Sequence, residues 1–222
     1  MTLQIITGGT GPSRLDALTH QAAAAAAAGV DLFQVREPQC EAAALAEIVA
    51  AVCQAVRGSH TRVLVNERLD IALAVGAHGV HLRASSMPAA AVRRLAPPGF
   101  LIGRSVHTPT EAAEAGPVDY VLAGTVLPSA SKPQGHPTLG EEGLRAIVVA
   151  ARVPVLAVGG LTVADVALVA RAGAAGLAAI GLFAAADRLP MTVAALRAAW
   201  ALIGRDAARA TRETRAAQSG VD

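Results

Sequence analysis

Polar residues that could bind an anion follow or interrupt three short apolar runs of the sequence. The runs LFQVR, RVLVN and LIGRS place four of them on one face of a strand: Gln34, Arg36, Asn66 and Ser105. Side chains alternate between the two faces of a strand, so these four would turn away from the apolar face and towards a common interior. An inward Arg36 is costly unless it meets an anion. The pattern predicts an anionic ligand, with an internal ion pair from Arg36 to Glu37 or Glu67 as the alternative.

Two glycine turns later in the chain could bind phosphate through backbone N–H groups. The motif AVGG occupies residues 157–160 and AAIG occupies residues 178–181. Barrels of the (β/α)8 type often bind phosphate with the loops after strands seven and eight and a short extra helix, for which residues 183–186 are the candidate. Glycine is also common in plain turns. The predicted phosphate-binding residues are Gly159, Gly160, Ile180 and Gly181.

A long segment rich in Pro, Ser and Gly, residues 124–143, has no helical or strand periodicity. Long loops in compact domains often bind or cover a substrate. Ser129, Ser131 and Lys132 are its candidate ligands for an anionic group. A solvated loop without a binding role is the alternative.

The histidines and cysteines lack the spacing of a metal site. His81, His107 and His136 are scattered, and we expect His81 to be a hydrogen-bonded core residue. Cys40 and Cys53 form no CxxC motif and no Cys/His cluster. The sequence therefore predicts two reduced, partly buried thiols, which fits a reducing cytoplasm.

Eight apolar runs alternate with eight Ala-rich segments of helical length, as in repeated β-α units around a parallel sheet. The predicted strands are residues 3–7, 32–36, 62–66, 79–82, 101–105, 120–124, 155–158 and 176–180. The predicted helices are residues 14–28, 41–56, 69–75, 88–95, 109–115, 141–151, 163–172 and 191–203. Eight alternations favour a single (β/α)8 TIM barrel over a doubly wound sheet, which usually has five or six strands and a GxGxxG motif.

Several residues mark where the predicted helices begin and end. Thr162 is a candidate N-cap, and four glycines are candidate left-handed residues at helix ends: Gly29, Gly76, Gly116 and Gly173. The apolar periodicity stops after Gly204. We expect a barrel over residues 1–204 and a charged tail, frayed or disordered, over residues 205–222.

Composition excludes several classes of protein. The chain of 222 residues is 53% hydrophobic but only 2% aromatic, with a net charge of +2, so it has neither a basic stripe nor the stacking platforms expected of a nucleic-acid-binding protein. The longest uncharged apolar run, residues 172–186, is shorter than the roughly 18 to 20 residues of a membrane span. With no secretory signal in MTLQIITGG, we expect a soluble, cytoplasmic protein without a membrane partner.

The ordered motifs of the chain resemble those of the thiamine phosphate synthases and their TenI-like relatives, the thiazole tautomerases. The motifs are QVRE at 34–37, VNERLDIALAVGAHGVHL at 65–82, IGRSVH at 102–107, the Ser-Lys-Pro loop at 129–133 and VGG at 158–160. The resemblance spans nearly the whole barrel. It implies a thiazole phosphate substrate and, since family members often self-associate, a possible homo-oligomer.

The chain departs from the synthase pattern at the residues that serve Mg²⁺ and pyrophosphate. A synthase joins a hydroxymethylpyrimidine pyrophosphate to a thiazole phosphate and uses Mg²⁺ to draw off the pyrophosphate. The family pattern has Asp, Asp and Lys at positions that are Glu67, Ser86 and Pro38 here. Glu67 is therefore the remaining candidate metal ligand if the chain is a synthase.

These departures are similar to the TenI-like tautomerases, which move a proton on a thiazole carboxylate phosphate and need no cofactor. The tautomerase is the leading interpretation, with a Mg²⁺-dependent synthase as the alternative and a non-catalytic thiazole phosphate-binding protein as a third. The proton-transferring histidine of the known tautomerase falls at Thr125, whose hydroxyl is too weak a base to replace it unaided. The catalytic base is therefore unassigned.

The roles that we assign are carried over from the resemblance or follow from strand phase. The candidate catalytic residues are Arg36, Asn66, Ser105 and Lys132, and the candidate substrate-binding residues are Gln34, Thr125, Ser129 and Ser131.

Overall fold

Eight parallel strands pair in chain order and close into a barrel in the computed structural model, which describes residues 1–9 and 15–219, with side chains as far as residue 205. The strands are β1 Thr2–Ile6, β2 Leu32–Val35, β3 Arg62–Asn66, β4 Gly79–Leu82, β5 Leu101–Val106, β6 Tyr120–Gly124, β7 Val155–Val158 and β8 Gly176–Ala179. Strand β1 pairs with both β2 and β8, with Gln4 opposite Leu32 on one side and Ala178 on the other. The predicted (β/α)8 barrel is confirmed.

A helix follows every strand, as the alternating pattern predicts. The helices are α1 Leu15–Ala27, α2 Ala42–Ala55, α3 Leu69–Ala74, α4 Ala89–Leu95, α5 Pro109–Ala113, α6 Gly140–Ala150, α7 Val166–Arg171 and α8 Leu189–Ser219. Short 3₁₀ turns cover Val163–Asp165, Gly181–Phe183 and Ala186–Arg188. None of the helices in the described part of the chain is both long and apolar enough to cross a membrane.

Most predicted boundaries lie within one or two residues of the observed ones, and the main difference is at the C-terminus. Helix α8 continues past the predicted end at Ile203 to Ser219. The character expected of residues 205–222 stays a prediction, because their side chains beyond residue 205 lie outside the described part of the chain, as does Arg14 at the predicted start of α1.

Predicted turn residues account for the helix boundaries. The four glycines expected at helix ends all have positive φ angles: 78° at Gly29, 68° at Gly76, 80° at Gly116 and 85° at Gly173. At the start of the seventh helical segment, the backbone N–H and the hydroxyl of Thr162 both donate to the Asp165 carboxylate, at 2.9 and 2.7 Å. These residues confirm the helix ends that the sequence indicates.

Two sets of apolar side chains stabilise the barrel. The outward faces of the strands, including Ile5, Phe33, Val65 and Ile102, pack against the helices in one continuous core. A second cluster fills the lumen with Ile6, Leu32, Leu64, Tyr120, Leu122, Leu156 and Ala178. Burial of each large aliphatic side chain contributes about 1.5 to 3 kcal/mol.

One glycine inside the barrel makes room for the single tyrosine. A Cβ atom on Gly103 of β5 would lie 2.3 Å from Cζ of Tyr120, the first residue of the neighbouring strand β6. Such a contact is impossible without movement of one strand or the ring. Gly103 is therefore required by packing in the lumen, and it lies two residues before Ser105, in the inward phase that the sequence predicts for that serine.

We predict that Gly103→Ala lowers the free energy of unfolding by about 1 to 3 kcal/mol, because overpacking forces the Tyr120 ring or β5 to move. Urea unfolding followed by far-UV circular dichroism measures the effect. Gly204→Ala in helix α8 is the control, because a Cβ there has no neighbour within 4 Å and alanine favours a helix. Equal stability of Gly103→Ala and the parent protein would contradict the packing argument.

Candidate active site at the barrel mouth

A cavity of about 560 Å³ opens at the C-terminal ends of β7 and β8. It is lined by both predicted glycine turns and by the loop after β6, with Ser129, Ser131, Gly159, Gly160, Ile180 and Gly181 among its residues. The structure thus brings together six residues that the sequence analysis selected from three separate segments. Small-molecule sites commonly have volumes of about 300 to 1,000 Å³, so the cavity is large enough for a small phosphorylated ligand.

The glycines after β7 allow the loop after β6 to lie directly against them. Gly159 and Gly160 have φ angles of 105° and 67°. A Cβ on Gly160 would lie 2.3 Å from the carbonyl oxygen of Pro128 and 2.6 Å from that of Leu127. The N–H of Leu127 in turn donates to the carbonyl of Gly159 at 3.0 Å. The wall between the glycine turn and the loop therefore depends on glycine at these positions.

The turn after β8 leaves its backbone accessible. Gly181 is exposed, and a Cβ there would meet no atom within 4 Å, so the space beside this residue is open. The short helix expected at residues 183–186 is instead a 3₁₀ turn over Gly181–Phe183, followed by a second over Ala186–Arg188. This corrects the predicted position and places the start of the turn at the cavity itself.

The long loop after β6 is closed at its base by two backbone hydrogen bonds. The N–H of Leu139 donates to the carbonyl of Thr125 at 2.9 Å, and that of Gly140 donates to Val126 at 3.0 Å. Thr125 itself is buried. At the tip, the hydroxyls of Ser129 and Ser131 lie 3.0 Å apart. The adjacent Lys132 is exposed, so its ammonium group is in solvent beside the cavity.

A chain of amide groups crosses the lumen beneath the opposite side of the mouth. Nε2 of Gln4 donates to Oε1 of Gln34 at 2.6 Å, and Nε2 of Gln34 donates to Oδ1 of Asn66 at 2.9 Å. The inward phase predicted for Gln34 and Asn66 is confirmed. Because Asn66 accepts on Oδ1, its NH₂ group is left as the donor available to a ligand. The sequence analysis missed Gln4, although its place between Leu3 and Ile5 on β1 indicates an inward side chain.

Ser105, also inward as predicted, is engaged by the buried His81. Nε2 of His81 lies 2.9 Å from Oγ of Ser105, and Nδ1 lies 3.3 Å from the Tyr120 hydroxyl. Burial lowers the pKa of His81 to about 3, so the ring is neutral at physiological pH. Burial also raises the pKa of the Tyr120 phenol. The expectation of a hydrogen-bonded core histidine is confirmed, and Ser105 is held by this network.

Arg36 lies at the rim rather than inside the barrel, which corrects the prediction of an inward arginine. Strand β2 ends at Val35, and the Arg36 side chain is exposed beside Gly9, where a Cβ would lie 3.7 Å from Nη1. Its backbone N–H donates to Oγ1 of Thr7 at 2.8 Å. No desolvation penalty therefore requires an anion at Arg36. The buried residue is instead Glu37, which accepts a 2.6 Å hydrogen bond from the Thr7 hydroxyl.

Glu67 and Ser86, which occupy the positions of the family's metal-binding aspartates, are hydrogen-bonded to each other. Oε1 of Glu67 accepts a hydrogen bond from the Ser86 hydroxyl and another, of 2.9 Å, from the N–H of Arg83. Nε of Arg83 lies 3.5 Å from Oε2 of Glu67. Within the described residues, no three His, Cys, Asp or Glu side chains form a group able to hold a metal ion. Mg²⁺ prefers hard oxygen ligands, so this donor set does not fit a two-carboxylate site.

His107 lies where β5 meets the end of β6. It is exposed just beyond the end of β5, and its Nδ1 is 2.6 Å from the carbonyl oxygen of Gly124. A carbonyl can only accept, so Nδ1 carries the proton and Nε2 keeps a free lone pair. Gly124 precedes Thr125, where the resemblance to the tautomerases puts their proton-transferring histidine. The structure thus places an imidazole one peptide unit from that position.

The two cysteines are free thiols, as expected. Cys40 and Cys53 are both partly buried and form no disulfide. Burial raises the pKa of Cys53 to about 11, and burial, with the nearby Glu37, raises that of Cys40. Both thiols are therefore mainly protonated at neutral pH.

Many enzymes that bind small phosphorylated molecules are closed (β/α)8 barrels with their site at the ends of β7 and β8. Residues 3–183 match the family described as Thiamine monophosphate synthase, and the chain belongs to this family. It is 39% identical over 164 residues to a thiamine-phosphate synthase of Methanoculleus marisnigri, covering 73% of this chain and 78% of the relative. It is 42% identical over 158 residues to the thiamine-phosphate synthase of Methanoregula boonei, covering 70% and 73%.

A solved structure gives the same result. The thiamine phosphate pyrophosphorylase of Pyrococcus furiosus superposes with a TM-score of 0.77 at 30% identity, covering 91% of this chain and 96% of that one. The chain therefore belongs to a family of thiamine biosynthesis enzymes. These named relatives favour the synthase over the tautomerase that the sequence analysis placed first.

We predict that the free energy of unfolding decreases at acidic pH because of proton binding to His81 in the unfolded chain. Between its ordinary pKa of 6.5 and about 3, the unfolded chain binds a proton at His81 that the folded chain does not. The contribution of the neutral His81 to the free energy of unfolding should therefore be fully present above pH 6.5 and should fall as the pH decreases towards 3. In His81→Gln this part of the fall should disappear, as measured by urea unfolding at several pH values. The exposed His136→Gln should behave like the parent protein, and an unchanged slope in His81→Gln would contradict the assignment.

Proposed function

We propose that the chain is a thiamine-phosphate synthase, which joins a hydroxymethylpyrimidine pyrophosphate to a thiazole phosphate. The observation that supports this most is the 39% identity to a curated synthase, within a family match that extends from β1 to the turn after β8. Every polar group described at the mouth lies within the matched residues. Small phosphorylated molecules are therefore the proposed partners, and the expected cytoplasmic location and homo-oligomer stay predictions.

The cavity between the β6 loop and the turns after β7 and β8 is the proposed site for the thiazole phosphate. Its glycine turns let backbone N–H groups approach an oxyanion, and the hydroxyls of Ser129 and Ser131 line the same space. Lys132 adds a cation at the outer edge of the loop. Thr125, buried below Gly159, supports the wall of the cavity and is not itself among its lining residues.

The β2–β4 side of the mouth is the proposed site for the pyrimidine. The Gln34–Asn66 amide chain offers oriented hydrogen-bonding groups, and Ser105 on the neighbouring strand β5 is held in position by His81 of β4. In the reaction the pyrophosphate leaves with the electron pair of its C–O bond, and the thiazole captures the pyrimidine cation. The chain's contribution is to bind the two substrates facing each other and to position the leaving group.

The family's magnesium is not assigned to a protein site. Of the positions that correspond to the family's two metal-binding aspartates, only Glu67 has a carboxylate, and that group is bonded to Ser86 and Arg83. We therefore assign no step of the reaction to a protein-bound metal.

Incubation of the purified protein with both phosphorylated precursors tests the synthase directly. Two reactions are run in parallel, one with Mg²⁺ and one with chelator. In each, we expect thiamine phosphate and pyrophosphate to form in amounts equal to each other, as quantified by chromatography. The absence of product in both reactions from a folded protein that binds thiazole phosphate would exclude the synthase.

Arg36→Ala is expected to weaken substrate binding by at least about tenfold while leaving the fold intact, because the exposed guanidinium at the rim makes charge-assisted hydrogen bonds to phosphate oxygens. Isothermal titration calorimetry with each phosphorylated substrate measures the change. Arg57→Ala, which removes an exposed charge after α2 at the other end of the barrel, is the control. Equal affinities for Arg36→Ala and Arg57→Ala would show that Arg36 does not bind substrate.

The thiazole tautomerase is a second candidate, favoured by the His107 geometry. With Nδ1 bonded to the Gly124 carbonyl, Nε2 could accept a proton near the position where the family histidine would lie. If this candidate is correct, the protein in chelator will aromatise a thiazole carboxylate phosphate, and His107→Gln will lose at least about a hundredfold in rate. Stabilisation by thiazole phosphate without turnover in either assay would indicate the third candidate, a binding protein.

A further inference from the structure

A compact charged cluster lies on the rim at the ends of β3 and β4. Glu67 follows β3 with a φ angle of 66°, and Arg83 follows β4. The Glu67 N–H donates to the carbonyl of His81 at 2.9 Å, which ties the left-handed residue to the neighbouring strand. The cluster is therefore held by backbone contacts as well as by its side chains.

The Glu67 carboxylate holds the Arg83 side chain by one edge. It accepts the Arg83 N–H at 2.9 Å and the Ser86 hydroxyl, and its second oxygen lies 3.5 Å from Nε of Arg83. The hydrogen bond at 2.9 Å is made by the backbone of Arg83, and its two terminal NH₂ groups make no hydrogen bond within the described residues. The side chain is 62% exposed, against 27% for Glu67. The guanidinium, ion-paired with Glu67 only through Nε, thus presents its two terminal NH₂ groups to solvent at the mouth.

Arg83 supplies positive charge at the place where Glu67 and Ser86 do not fit a metal site. A guanidinium is planar, always charged and able to bind two oxygens of a phosphate group at once. Its charge also offsets that of Glu67, whose carboxylate would otherwise repel a pyrophosphate. Arginine side chains stabilise transferring or leaving phosphate groups in the same way as metal ions do.

We propose that Arg83 binds the pyrophosphate leaving group directly through its terminal NH₂ groups, in place of a protein-bound metal. Glu67 and Ser86 then act as positioning residues that orient Arg83. This assignment rests on the proposed synthase function. It explains why the carboxylate and hydroxyl at the family's metal positions are both engaged within the protein.

Calorimetric titration with inorganic pyrophosphate in the presence of EDTA tests the assignment without turnover. We expect the parent protein to bind, Arg83→Gln to bind at least about tenfold more weakly, and Arg83→Lys to lie between them because lysine cannot bind two oxygens in the same way. The exposed Arg57→Gln is the charge-matched control and should retain parental affinity. Thermal unfolding of each variant establishes that it is folded.

The outcomes separate this assignment from the synthase proposal. Failure of the parent protein to bind pyrophosphate in EDTA, or equal binding by Arg83→Gln, overturns the role of Arg83 whatever the enzyme assay shows. Binding that depends on Arg83 in a protein that forms no thiamine phosphate from its precursors supports the anion site and contradicts the synthase.

Discussion

Closure of eight short parallel strands into one barrel is the constraint on which the rest of the structure depends. Each strand has only four to six residues, so each sends only a few side chains into the lumen. These must fill the lumen without clashing, as the pairing of Gly103 with Tyr120 shows. Because all strands run in the same direction, their C-terminal ends meet at one mouth, and residues distant in sequence become neighbours there.

The mouth has two chemically different sides. The β6–β8 side is built from glycine turns and loop backbone, which suits a phosphate that must be approached closely. The β2–β4 side is built from side chains, with the Gln34–Asn66 amides in the lumen and the Glu67–Arg83 pair at the rim. A synthase must bind two phosphorylated substrates at once, and the anion sites that we propose on the two sides of the mouth are suited to this reaction.

Strand phase and glycine spacing allowed much of this to be predicted from the sequence. The inward positions of Gln34, Asn66 and Ser105 follow from alternation, and the shared cavity follows from the order of the glycine turns. Alternation fails where a strand ends, which is why Arg36 was expected inside the barrel but lies exposed. The Glu67–Arg83–Ser86 contacts join two loops whose conformations no periodicity describes. The preference for the tautomerase came from single substitutions, whereas identity over 164 residues favours the synthase.

The most direct test compares, by calorimetry, the binding of thiazole phosphate with that of the same thiazole alcohol lacking phosphate. We expect at least about a hundredfold weaker binding of the alcohol, because in the proposed site backbone N–H groups at the glycine turns and nearby cations interact with the phosphate charge. Equal affinities for the two ligands would show that the β6–β8 cavity is not a phosphate site and would contradict the central claim.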